Sequence, residues 1–238
     1  MKHLKLALLM LLMSPTLLFA QNEERRWAID GFVGPTFIKD KTDITDPFGQ
    51  RNGLAKYFGA EYYIPNTHFS ARLGYQSESL YLGKQLIQAE QSTVNISGRY
   101  YPLPEHWFFQ PHAGLGMNIL VSSDNSKEGY ESWNGLTTSY TADIHSPRVA
   151  FTPTIGFDLY LLSSVALFVD YSYNIGINNK YSVSWAQNYT MPQTVTGNLN
   201  HHNLNIGLKV AFPFHFTSHD GSTILQSVIG SLIMSRMR

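Results

Sequence analysis

The chain has 238 residues, and its 17 Lys and Arg balance 17 Asp and Glu, so the formal net charge is zero. Charged residues make up only 14% of the chain and aromatic residues 13%, whereas charged residues are ~25% of an ordinary soluble protein. The neutral balance argues against a nucleic-acid-binding protein. The absence of cysteine excludes disulfides, thiol nucleophiles, zinc–cysteine sites and a lipid-modified cysteine.

The first twenty residues are typical of a secretory signal peptide. Basic residues up to Lys5 precede the apolar run Leu6 to Met13, and the small residue Ala20 stands before Gln21. The apolar run is too short for a helix that crosses ~30 Å of hydrocarbon. We therefore expect residues 1–20 to be removed on export, which leaves a mature chain with 15 basic and 17 acidic residues.

After the signal peptide, apolar and polar residues alternate with a period of two, which predicts strands. The alternation follows eight segments in chain order: 27–37, 54–64, 69–76, 93–100, 109–119, 148–159, 165–176 and 203–212. The apolar run 159–169 contains Ser163 and Ser164, and we interpret it as the ends of two strands that meet at a tight turn. A buried helix is the alternative there, since the period does not distinguish the two.

The connections between these strands alternate strictly between short and long. The short ones are 65–67, 102–106 and 161–164, and the long ones are about 40–53, 82–88, 122–146 and 178–202. Outer-membrane barrels have this arrangement, with short periplasmic turns and long extracellular loops. Aromatic residues gather near the short turns, where an interfacial girdle is expected: Trp27, Tyr62, Phe69, Tyr100, Trp107, Tyr160 and Phe212.

The pattern over residues 25–214 resembles the small eight-stranded outer-membrane barrels of the OmpA/OmpX type. It closely resembles the porin-family outer-membrane β-barrel domain common in Bacteroidetes. The resemblance implies an all-β fold at 21–214: an eight-stranded antiparallel up-and-down transmembrane barrel. It also implies a monomer in the cell outer membrane, embedded in lipid and lipopolysaccharide. No cofactor or nucleic-acid partner is expected.

The last strand resembles the signal that such barrels present to the barrel assembly machinery, with these residues: Leu204, Ile206, Leu208, Val210, Phe212 and Phe214. The chain departs from the family here, because 24 residues follow Phe214. Apolar residues recur at helical spacing in this tail, and Arg236 and Arg238 end it. We therefore expect 215–238 to be a periplasmic tail with a short amphipathic helix.

If the apolar residues face lipid, the opposite parity places a polar network in the lumen. Its predicted members are Asp30, Glu61, Arg72, Glu78, Arg99, His112, Arg148, Asp158, Asp170 and Lys209, with Gln76, Gln91 and Asn95 between them. Eight strands enclose a space that side chains fill, so we expect a cross-linked ionic core. An ion path or proton relay through the same groups is the functional alternative.

The third and fourth long connections carry most of the loop aromatics. These contact candidates are Tyr130, Trp133, Tyr140, Tyr181, Trp185 and Tyr189. Their alternation with polar residues predicts strands that continue beyond the membrane as a protruding sheet. Such a sheet would pair with an extracellular protein at its edge or stack on a glycan, unless the aromatics pack on one another to hold the loops up.

Enzymatic and metal-binding signals are weak. His68 and Ser70 share a strand face with Glu78, but Glu78 is eight residues further on, about 27 Å at ~3.4 Å per residue. A catalytic triad needs contact distances. A metal site at His215, His219 and Asp220 rests on spacing alone.

We therefore interpret the chain as a non-enzymatic outer-membrane barrel with a structural and surface-interaction role through loops 3 and 4. The alternatives, in order, are a narrow or gated channel for small solutes or ions, a lipid-modifying enzyme, and a soluble lipocalin-like carrier.

Overall fold

Alternating apolar and polar residues build twelve strands in the part of the chain that the computed structural model describes, residues 25–38, 53–82, 87–104, 107–133, 136–187 and 191–212. The strands are β1 (Trp27–Ile38), β2 (Gly53–Tyr63), β3 (Phe69–Leu82), β4 (Ile87–Tyr100), β5 (Phe109–Ser123), β6 (Ser126–Trp133), β7 (Leu136–His145), β8 (Val149–Leu162), β9 (Val165–Gly176), β10 (Lys180–Gln187), β11 (Gln193–Gly197) and β12 (His201–Phe212). Within those ranges no helix has the length and apolarity needed to cross a membrane. The predicted signal peptide, Phe214, and the tail with its helix and its histidines lie outside the described residues.

Eight of these strands close into an antiparallel barrel, in the order β1-β12-β9-β8-β5-β4-β3-β2. The seam joins the first and last strands, with Trp27 opposite Phe212 at one end and Ile38 opposite His201 at the other. The eight predicted strands are therefore confirmed. The helix alternative for 159–169 is wrong, because β8 and β9 meet at the two-residue turn Ser163-Ser164.

The barrel has a polar inside and an apolar outside. On β3, Arg72 and Gln76 are buried inside, while Leu73 and Tyr75 are about half exposed on the outer surface. Hydrocarbon accommodates an apolar exterior, and closure leaves no unpaired sheet edge in lipid. A soluble carrier would have the opposite polarity, so the fold excludes the lipocalin-like alternative.

The predicted aromatic girdle is largely on the outer surface at the short-turn end. Trp27 packs against Tyr62 with ring centroids 4.6 Å apart, and Phe69 packs against Tyr100 at 5.2 Å. Trp107 and Phe212 are also exposed. The prediction was wrong for one member, Tyr160, which is buried inside the barrel. It lies one position out of phase with its outward neighbours, and the guanidinium of Arg25 is 3.5 Å from the centre of its ring.

The two longest connections between barrel strands form a second sheet, with strand order β11-β10-β7-β6. The connection from β5 to β8 supplies β6 and β7, and the connection from β9 to β12 supplies β10 and β11. This sheet is the predicted protruding sheet. It stands at the end of the barrel opposite the short turns, which is the extracellular end in barrels of this kind. We call it the extracellular sheet.

One face of the extracellular sheet packs onto the extended ends of β3 and β4. Along β3 the inward positions change from polar Glu78 to Leu80 and Leu82, while the outward ones change from Tyr75 to Ser77. The strand therefore leaves the lipid before it reaches the sheet. The buried cluster that joins sheet and barrel, here called the apolar cap, is Leu80, Leu82, Ile87, Ala89, Ala142, Ile144, Tyr181, Val183 and Leu199.

The edge strand β6 is tied to the barrel at its start. Lys127 donates to the backbone oxygen of Gln88 at 2.7 Å and lies 2.8 Å from the Asp124 carboxylate, which also accepts from the Glu90 amide. Partial burial alone would raise the pKa of the Asp124 carboxyl, but these hydrogen bonds and the lysine charge outweigh it and lower the pKa below its usual value. The Asp124 carboxylate, just before β6, is therefore ionised at neutral pH.

We expect the barrel to migrate as a compact band in dodecyl sulfate electrophoresis until the sample is boiled, and we expect Gly34→Ala to abolish that band. A Cβ at Gly34 would lie 2.1 Å from the backbone oxygen of Leu204 across the β1–β12 seam, so closure would be blocked. Gly98→Ala is the matched control, because its Cβ would meet nothing closer than 3.7 Å. A heat shift that survives in Gly34→Ala would contradict this account of the seam.

Candidate functional site

One ionisable side chain from each of the eight barrel strands points into the lumen, and together they form a single group, here called the lumen cluster. In strand order from β1 to β12 its members are Asp30, Glu61, Arg72, Arg99, His112, Asp158, Asp170 and Lys209. Each is at most 5% exposed. Because they come from every strand, the cluster crosses the whole section of the barrel.

Six members of the lumen cluster form a closed ring in which acidic and basic side chains alternate. Lys209 Nζ lies 2.7 Å from Glu61 Oε2 and 2.5 Å from Asp158 Oδ2. The imidazole of His112 continues the ring, with Nδ1 3.6 Å from Asp158 and Nε2 2.8 Å from Asp170. Buried charges need such partners, because isolated ones are very costly to remove from water.

Arg99 completes the ring and Arg72 extends it. The Arg99 guanidinium contacts the Asp170 carboxylate and lies 3.7 Å from Glu61 Oε2. Arg72 Nη2 lies 2.5 Å from Asp30 Oδ2, and its Nη1 is 4.0 Å from Asp170. The cluster holds four acids against three permanent cations and one imidazole, so few of its charges are left without an opposite charge nearby.

Aromatic rings support the cluster from beside it. The Arg72 guanidinium lies 3.9 Å from the ring centre of Tyr57, which is stacked on Phe32 at 5.0 Å. The Tyr57 side chain lies across two glycines, since a Cβ at Gly59 or Gly74 would come within about 2 Å of its hydroxyl. These two glycines therefore let a tyrosine lie flat across the lumen, where it fills space that water would otherwise occupy.

A second polar layer lies between the lumen cluster and the apolar cap. His201 Nε2 is 3.1 Å from Glu78 and 2.9 Å from the side-chain nitrogen of Asn174. Asn118 donates to Asn174 Oδ1 at 2.7 Å, and Asn95 donates to Asn118 Oδ1 at 2.6 Å. This chain of hydrogen bonds runs from β3 through β12, β9 and β5 to β4. We call it the amide belt.

Glu78 accepts further hydrogen bonds within the amide belt. That carboxylate accepts from Gln91 on β4 at 2.8 Å and from Asn203 on β12 at 2.7 Å, and it also contacts Gln76. Since each of these amides has its partner inside the lumen, the belt links neighbouring and opposite walls of the barrel. It forms a second obstruction above the lumen cluster.

Two small gaps lie among the described lumen side chains. A gap of about 20 Å³ lies among Phe32, Arg72, Gln76, Asn95, Arg99 and Asn205, and another of about 20 Å³ lies near Arg25 and Tyr160 at the periplasmic mouth. A single water needs about 10–15 Å³ by this measure. Each gap therefore admits one or two waters, which is far less than a continuous aqueous path.

The predicted lumen residues lie inside the barrel, as the period-two alternation predicted, with one exception. Arg148 is exposed and takes no part in the network, because it precedes the first residue of β8. Asn174, Asn118 and His201 are central to the amide belt but were not among the predicted lumen residues. Their inward parity was readable, but amides and a histidine in a loop-proximal position carry little signal by themselves.

The proposed hydrolase residues are not brought together. Ser70 donates to Glu61 in the lumen, and His68 Nδ1 lies 2.9 Å from the backbone oxygen of Tyr101. Glu78 belongs to the amide belt. In the described ranges, no group of three or more His, Asp or Glu side chains is arranged to hold a metal ion.

The predicted loop contact residues divide between the two faces of the extracellular sheet. Tyr181 is buried in the apolar cap, and Tyr140 and Trp185 pack against it. Tyr130 is 80% exposed on the opposite face. The Trp133 side chain and Tyr189 lie outside the part that the structure describes. Of the described candidates, Tyr130 alone faces outward for an external partner.

No protein-family model matches the chain, and no curated protein matches it. Among solved structures it is similar to Neisserial surface protein A, at 14% identity and a TM-score of 0.48, over 78% of this chain and 97% of that one. Outer membrane protein OprG from Pseudomonas aeruginosa is 17% identical, with a TM-score of 0.45, over 81% and 98% of the two chains.

The N-terminal β-barrel domain of Pseudomonas aeruginosa OprF is 7% identical with a TM-score of 0.40, over 80% of this chain and all of that one. Such distant similarity says nothing about activity or ligand. The closed strand order and the polar interior within an apolar wall stand independently of it. By those two features the chain is an integral β-barrel of the outer-membrane type.

Proposed function

We propose that the protein is a non-conducting, non-enzymatic outer-membrane barrel that holds a rigid sheet above the cell surface for interaction. The observation that carries this proposal is the lumen, which is obstructed at three levels: the lumen cluster, the amide belt and the apolar cap. A channel needs a continuous water-filled path with weakly held ions. Here the polar groups are bound to one another instead.

The extracellular sheet supports the second half of the proposal. Its apolar face is fixed by the cap, so its other face is held outward in one orientation. That face carries hydroxyl groups on neighbouring strands, and Ser184 and Thr194 are hydrogen-bonded to each other at 2.8 Å. Its outer strands β6 and β11 each pair with one neighbour among the described strands, which leaves backbone groups for strand addition.

A planar-bilayer recording of the purified protein tests the non-conducting part. We expect no stepwise current in concentrated KCl at either polarity, because an ion would have to break the closed ring of acidic and basic side chains. Met191 is 90% exposed and the chain has no cysteine, so Met191→Cys gives a single fluorescent label that reports insertion. Labelled protein in a silent bilayer is the expected result.

Stepwise currents that scale with labelled protein would favour the narrow or gated channel instead. A control preparation that was boiled before reconstitution separates barrel currents from detergent artefacts. Lipid A from cells with and without the protein, compared by mass spectrometry, tests the non-enzymatic part. A change in acyl chains would contradict it.

A further inference from the structure

A cleft of about 840 Å³ lies at the base of the extracellular sheet. Most of the sheet residues that line it are on the face opposite the apolar cap, and Tyr181 of the cap also borders it. Two rows of cross-strand neighbours line it. Asp143 on β7 is opposite Ser182 on β10, which is opposite Thr196 on β11, and in the next row His145 is opposite Lys180. Side chains that are directly opposite on one face have Cβ atoms about 5 Å apart. Their polar groups therefore converge on one space.

The connections that lead from the membrane to the sheet border this cleft. Asn178 and Asn179 line it immediately after β9, and Asn198 lines it just before β12. The backbone of Asn178 has φ 55°, so the chain reverses there. Asn179 is buried and donates to Asn200 Oδ1, which also accepts from the Gly176 amide. The lower wall of the cleft is thus fixed in place by side-chain hydrogen bonds.

Directly below the cleft is a lipid-facing wall. Ile175 on β9 and Ile177 in the turn after it are exposed just before Asn178, and Ile155 on β8 and Ile206 on β12 are exposed on the two neighbouring strands. A membrane lipid on this wall would have its acyl chains on apolar residues and its headgroup at the height of the cleft. Cleft and wall are continuous along the chain.

We propose that the cleft binds the anionic saccharide headgroup of an outer-leaflet glycolipid, with the acyl chains on the wall of β8, β9 and β12. Carboxamides and hydroxyls match the hydroxyl groups of a sugar as both donors and acceptors. Lys180 supplies the positive charge for a phosphate or carboxylate. His145 is opposite Lys180 on the neighbouring strand, and its Nδ1 lies 3.6 Å from Asp143 Oδ1.

A glycolipid fits better than a free glycan, because the apolar wall continues the site below the membrane surface. It also fits better than an ordinary phospholipid, because several amide and hydroxyl groups line the cleft and a lone phosphate would leave most of them unused. The inference rests on the proposed location of the barrel in the outer membrane. It is independent of whether the lumen conducts, since the cleft is outside the barrel.

Native mass spectrometry of the full chain, released from phosphatidylcholine nanodiscs, tests the site. The nanodiscs contain either lipid A or phosphatidylglycerol at equal mole fraction. We expect the wild type to retain lipid A as an adduct and to retain little phosphatidylglycerol. Lys180→Gln should lower the lipid A adduct about tenfold, because it removes a charge-assisted contact, and Asn198→Ala should lower it as well.

Lys56→Gln is the matched control. Lys56 is an exposed lysine on β2, on a wall that is not adjacent to β8, β9 or β12, and its loss should leave the adduct unchanged. Equal retention of phosphatidylglycerol, or equal losses in Lys56→Gln and Lys180→Gln, would overturn the proposal in favour of plain charge attraction. If the water-soluble phosphorylated disaccharide displaced lipid A completely at equal concentration, the ligand would be a free saccharide and not a membrane lipid. The heat shift in electrophoresis confirms that each variant is folded, so a lost adduct cannot be confused with a lost barrel.

Discussion

Lys209→Met should lower the free energy of unfolding by about 3–5 kcal/mol, because it leaves buried carboxylates without their counter-charge. Lys209 is fully buried, and its ammonium group is the shared partner of Glu61 and Asp158. Methionine has a similar length, so the loss is one of charge more than of volume. Urea unfolding of the detergent-folded barrel, followed by tryptophan fluorescence and the heat shift, measures the change.

Lys56→Met is the control for that variant, because Lys56 is exposed on the outer surface of β2 and a change there should be small. A second variant also removes the two acids that Lys209→Met leaves without a counter-charge. In the triple variant Lys209→Met, Glu61→Gln, Asp158→Asn, the cluster keeps two acids and two arginines, and most of the lost stability should return. If the single and triple variants were equally unstable, packing rather than charge would hold the lumen together.

Val183→Asp should release the extracellular sheet and leave the barrel intact. Val183 is fully buried in the apolar cap, where a carboxylate would have no cation beside it among the described cap residues. Burial of an unpaired charge costs roughly 3 kcal/mol or more, which raises the detached population roughly 100-fold. Limited proteolysis of the folded protein should then cut between β9 and β12 much faster than in the wild type.

Ser184→Asp is the matched control, because the next residue along β10 faces away from the cap and contacts Thr194. It introduces the same group into the same strand and should change the rate of proteolysis little. The heat shift should survive in both variants, since the eight barrel strands are untouched. Equal proteolysis of the two variants would mean that the cap does not hold the sheet.

Period-two alternation predicted the barrel strands because lipid imposes one rule along the whole wall. Side chains that face hydrocarbon must be apolar, so parity alone placed Asp30, Arg72 and Lys209 in the lumen. The rule fails at the ends of strands, where the wall leaves the lipid. Arg148 and Tyr160 are both in such positions, and neither lies where its pattern predicted.

The alternation of residues predicted the strands of the extracellular sheet, but it did not predict which face of the sheet is buried. Tyr181 and Trp185 alternate with serines as a surface hairpin would. Their partners in the cap, such as Leu80 and Ile87, are far away in sequence and are brought near only when the barrel closes. The same holds for the amide belt, since Asn174 on β9 is hydrogen-bonded to Asn118 on β5 and to His201 on β12, and neither strand is next to β9 in the chain.

The lumen cluster takes one ionisable group from each barrel strand, and this has a consequence for strand register. Glu61 on β2 and Asp158 on β8 share Lys209 on β12, so these acids have this counter-charge only when β12 pairs in the closed wall. A register slip of one residue in any hairpin would turn its charge outward into hydrocarbon, which is strongly unfavourable. The lumen cluster therefore favours the native register, because only a barrel with every strand in register brings all eight groups together in the lumen.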